Sequence, residues 1–132
     1  MTCFWDGIIN QLRPDDYAKI GFNPPANARE LVVLLKHFNQ RTPCVRWNGK
    51  TLTSKQIEEN IEHIRSFDIN SIHNGYDCSI CDPFLLLATD LFEVEMRHRY
   101  LGLHTMIYQP CVNVAIRRVV RFSSDSGHFM SE

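Results

Sequence analysis

Apolar residues recur at helical spacing through the first two thirds of the chain and alternate with polar ones in the last third. Residues 2–12 form the first helical stretch. Ile8, Ile9 and Leu12 line one face, and Cys3 falls on the opening turn. Arg13 to Tyr17 breaks that period, and Gly21-Phe22-Asn23-Pro24-Pro25 reads as a loop. Residues 27–38 give a second helix, started by Asn27 or the proline pair, with Leu31, Val32, Leu34, Leu35 and Phe38 facing inward. Residues 45–52 hold Asn48-Gly49, the pair that supplies two positive φ angles to a type I′ hairpin. Thr53 then caps a third helix with Gln56 as its capping-box partner, and Ile57, Ile61 and Ile64 form a narrow stripe that suits an element at the domain's edge. Residues 68–75 read as loop.

Asp82-Pro83 opens a fourth helix, side chain at the N-cap and proline at N1. The run from Phe84 to Val94 leaves that helix so little polar face that it is expected to be the most buried. Residues 96–102 read as its exit. Strand-like runs follow at 103–108, 112–122 and from Phe129 onward. Helices first and a mostly antiparallel set of strands last make an α+β fold, one domain over residues 1–132.

Composition adds exclusions. The chain is 44% hydrophobic and 22% charged, an ordinary globular balance. A formal net charge of −1 argues against nucleic acid as the partner. No apolar run approaches the roughly 18 residues of a membrane span, and no secretory h-region is visible. The five cysteines (3, 44, 78, 81 and 111) show no framework spacing. Reduced thiols in a cytoplasmic compartment are therefore expected.

The candidate chemistry lies at the two ends. Cys3 at a helix start sits where unpaired amides and the helix dipole favour an anion, and the thiolate is the nucleophilic form of a cysteine. Gly127-His128-Phe129 leaves a Ser/Asp/Gly turn into a strand and presents a histidine that could serve as base. The plainer alternative is an inert buried cysteine and a surface histidine.

Cys3-Phe4-Trp5-Asp6-Gly7-Ile8 near one end and Gly127-His128-Phe129 near the other resemble a papain-like cysteine protease of the ovarian-tumour (OTU) deubiquitinase type, in its compact viral form. The resemblance implies helices carrying the nucleophile packed on a small sheet, with Cys3 and His128 catalytic. It also implies no cofactor, and ubiquitin-like conjugates or a viral polyprotein as substrate. Trp5 and Phe129 would wall a narrow channel, and Asp6, Asp15 and Asp16 would be available to basic residues of the substrate. Two features depart from the family: only Met1 and Thr2 precede the cysteine, and Met130 occupies the place of the usual third catalytic residue. A dyad, or orientation by Asp125, Ser131 or Glu132, would replace it.

Two rivals have their own residues. Cys78-Ser79-Ile80-Cys81, with His73 and Cys111, has a zinc-like C-x-x-C step but no second pair. Asp77-Cys78-Ser79, with His104 or His128 as base, echoes the nucleophile motif of NlpC/P60-type amidases, although Ile80 stands where that family wants glycine. A non-catalytic α+β interaction module is the broader alternative.

Overall fold

A computed structural model describes residues 2–76, 82–111, 118–125 and 129–131. The chain is α+β: helices lie on one face of a mixed six-stranded sheet ordered β2-β1-β4-β3-β5-β6.

Helix α1 (Cys3–Gln11) buries Phe4, Trp5, Gly7 and Ile8. Where the sequence pattern broke, Pro14 at N1 starts a short helix, α2 (Pro14–Ala18), and Asp16 accepts the Arg13 N–H at 2.7 Å. Helix α3 (Ala28–His37) starts as expected at Asn27, whose side chain accepts the Glu30 N–H. Strands β1 (Arg46–Trp47) and β2 (Lys50–Thr51) close the hairpin at Asn48 (φ 51°) and Gly49 (φ 81°). Helix α4 (Ser54–Ser66) carries the full capping box. Gln56 N–H reaches Thr53 Oγ1 at 3.1 Å, and Thr53 N–H reaches Gln56 Oε1 at 2.8 Å. The expected loop after α4 contains a 3-10 turn over Ile69–Asn74 that buries Ile72.

Helix α5 (Pro83–Phe92) is the apolar centre, with every residue from Pro83 to Thr89 buried. It lies over β3 (Glu95–Tyr100) and β4 (His104–Gln109). Here the sequence expectation is corrected: residues 96–102 do not simply leave the helix, because Glu95–Tyr100 is a central strand. It pairs antiparallel with β4 and parallel with β5 (Val119–Ser124). Strand β6 (Phe129–Ser131) pairs antiparallel with β5 and forms one edge of the sheet. Residues 112–117, part of an expected strand, lie outside the described residues.

The sheet is two-sided. Met96, His98, Met106, Tyr108, Val120, Phe122 and Phe129 face the helices and are buried. Their alternating neighbours Arg99, Thr105, Arg121 and Met130 are exposed. No helix among the described residues is long and apolar enough to cross a membrane.

The expectation of reduced thiols throughout is also corrected. Cys44 and Cys111 form a disulfide with their Cα atoms 5.0 Å apart. Each stands two residues beyond the Arg46–Gln109 pair of β1 and β4, so the bridge continues the antiparallel register. The premise for a cytoplasmic compartment goes with it.

Candidate active site

Cys3 is the first residue of α1, half-buried and free. Thr2 precedes the helix without capping its amides. The Thr2 hydroxyl instead donates to Asp6 Oδ2 at 2.7 Å, and its carbonyl accepts the Asp6 N–H at 2.9 Å. The N–H groups of Cys3, Phe4 and Trp5 therefore precede the first intrahelical bond, as at any helix start. Asp6 is exposed on the same turn, where a carboxylate complements the helix dipole.

The inner side of this turn is aromatic. The Trp5 ring lies 4.8 Å from Phe4, 4.9 Å from Phe84, 5.1 Å from Tyr76 and 5.5 Å from Phe67. Phe129, the first residue of β6, lies 4.9 Å from both Phe4 and Phe122 and 5.3 Å from His98. It rests on Gly7: a Cβ there would come 2.8 Å from the Phe129 ring. Glycine is required at that position by close approach, since any side chain would lift β6 off the helix. The two ends of the sequence motif thus meet through Phe129, Phe4 and Gly7.

His128 itself lies outside the described residues, as do Cys78 and Cys81. Trp5 and Phe129 are placed differently from their expected role as channel walls. Trp5 is fully buried and Phe129 is 6% exposed, so both rings belong to the core. Their size and lack of charge make burial the stronger pull. Asp16 is likewise no rim acid. It is buried, bonded to the Arg13 amide and ion-paired with Arg118 and Lys19. Asp15 stays exposed. Cys111 is consumed by the disulfide and is lost to any zinc set. Among the described residues no group of three His, Cys, Asp or Glu side chains is arranged to hold a metal.

One residue near the site was missed in the sequence. His98 on β3 is fully buried, with a ring nitrogen 2.5 Å from Ser124 Oγ and its ring against Phe129. Desolvation lowers its pKa from the usual 6.5 to about 4, so the ring is neutral at physiological pH. The available signal was its place in Met96-x-His98-x-Tyr100, an alternating row whose middle member is polar. Comparison with protein-family models, curated proteins and solved structures gives no match.

Proposed function

We propose that the chain is a papain-like cysteine hydrolase of OTU type, with Cys3 as nucleophile and His128 as general base. It would act on peptide or isopeptide bonds of ubiquitin-like conjugates or of a viral polyprotein. The observation that carries this reading is the seating of β6 on the first turns of α1. The strand that begins directly after His128 rests, through Phe129, on the residues that follow Cys3.

In this reaction His128 takes the thiol proton as Cys3 Sγ attacks the substrate carbonyl carbon. The tetrahedral oxyanion is held by amides at the α1 start, where Thr2 supplies no competing cap. Collapse breaks the C–N bond, and the leaving amine takes the proton back from His128. Water, deprotonated by the same imidazole, then attacks the Cys3 thioester and releases the acid with the thiol restored. Asp6 is exposed beside the nucleophile and can meet a cationic substrate residue.

The test is a ubiquitin probe bearing a C-terminal electrophile, followed by intact mass. The expected result is a single adduct on the wild type, absent from Cys3→Ala and slowed at least about a hundredfold in His128→Ala. A thiol-directed small electrophile should also modify Cys3 faster than Cys78 or Cys81. Adducts that persist in Cys3→Ala, or equal labelling of all free thiols, would remove the hydrolase reading and leave an interaction module.

A further inference from the structure

We propose that the β3–β4 hairpin tip enters the headgroup layer of an anionic lipid bilayer, with the arginines on the sheet face turned away from the helices held behind it. The inference does not depend on the Cys3 chemistry, although Met130 shares β6 with Phe129.

The face carries a block of arginines. Arg97 of β3 stands directly across from Arg121 of β5, and Arg99 lies two residues along on the same face. Two like charges opposed on neighbouring strands cost folding free energy. Glu95 answers Arg97 at 2.8 Å, whereas Arg121 is exposed and has no hydrogen-bond or ion-pair partner among the described residues. Three arginines of β3 and β5 thus share one plane with Glu95.

The tip beside this block is apolar. Leu101 is 47% exposed, Leu103 75% and Met130 51%, three of the five exposed large apolar side chains among the described residues. Met130 pairs with Ser123, in the same cross-strand row as Arg99. The turn closes through Leu103 N–H to the Tyr100 carbonyl at 3.0 Å, and Leu101 adopts φ 55° within it. Leu101 and Gly102 (φ 68°) both take positive φ in this turn, a backbone that costs leucine more than glycine or asparagine.

Spacing selects the occupant. Strand rise puts Arg99 about 7 Å behind the tip and the Arg97–Arg121 pair about 7 Å further. Interfacial segments sink roughly 5–10 Å into a bilayer. Leucines inserted to that depth bring Arg99 to the lipid phosphates and hold the second row within the surface potential. A nucleic acid would use the arginines but leave the leucines in water. A protein partner wants an aromatic anchor at the centre of its patch, and the described residues of this face offer none.

The experiment is co-sedimentation of the full chain with vesicles of phosphatidylcholine alone or mixed with phosphatidylserine. Binding should require phosphatidylserine and weaken with salt. Arg121→Gln should weaken it about fivefold and Leu103→Asp about tenfold. Both positions are exposed, so an unchanged melting temperature confirms folding. Equal binding to both vesicles, or to neither, overturns the proposal. So does unaltered binding by Leu103→Asp, or tighter binding to a ribo-oligonucleotide that depends on Arg121 alone. Slower probe reaction by Leu103→Asp without vesicle binding would assign the tip to the protein substrate instead.

Discussion

His98 is fully buried against Phe129 and within 2.5 Å of Ser124 Oγ, so its neutral ring is part of the packing that seats β6. Protonation would put a charge into that packing, where burial disfavours it. Its folded pKa of about 4 lies below the unfolded value of 6.5, so the unfolded chain takes up the proton first as pH falls. The stabilisation is complete above about 6.5 and is lost progressively down to about 4, a span worth at most about 3 kcal/mol. Urea unfolding across a pH series should show this loss in the wild type and a shallower slope in His98→Asn. Superimposable slopes would show that the ring is not held neutral. At this scale the sequence exposed Gly7, because it belongs to a compact local motif. It concealed His98 and misassigned Trp5 and Asp16, whose burial is decided by side chains far along the chain.

The helix starts were legible because their signals are local. Asn27, Thr53 and Asp82 all cap as their spacing predicts. Asp82 is the most demanding, since it is wholly buried and accepts from Phe84 N–H at 2.9 Å and Leu85 N–H at 3.2 Å. Asp82→Ala would strand both amides inside the protein and should cost about 2 kcal/mol. A smaller loss in thermal unfolding, under about 0.5 kcal/mol, would mean that water reaches them. Helices α1 and α3 end where expected, at Leu12 and Phe38, but the distant cations that hold three of the helix ends were not legible. Lys19 Nζ donates to the Phe92 carbonyl at 2.8 Å, closing α5. Lys36 Nζ reaches the carbonyls of Ile64, Arg65 and Phe67 at the end of α4. Arg118 meets the Gln11 carbonyl at the end of α1. Strand β3 was missed for another reason: the face it turns away from the helices is all charge (Glu95, Arg97, Arg99), so hydropathy alone shows only Met96 and Tyr100.

The α+β layering followed from helix-period segments preceding strand-period ones, whereas the strand order did not. Placing β3 between an antiparallel and a parallel neighbour requires a crossover after β4 that no local pattern announces. The pairing of β1 with β4 puts Cys111 opposite Cys44, across 67 positions that spacing could not suggest. Cross-linking so long a loop restricts the unfolded chain and should be worth about 4 kcal/mol. The guanidinium midpoint should therefore fall clearly on reduction, and in the Cys44→Ser/Cys111→Ser double variant. Equal midpoints for oxidised and reduced protein would rule the bridge out.

The contact between α1 and β6 also sets a timetable. During translation the opening helix leaves the ribosome long before the strand that must cover Gly7 has been polymerised. Its Phe4 face has to wait, exposed or shielded by a chaperone, until Phe129 emerges. A nascent chain halted before that codon should therefore keep Cys3 open to alkylating reagents, and emergence of β6 should slow its modification. Assembly around the thiol thus waits on β6, however early α1 is made.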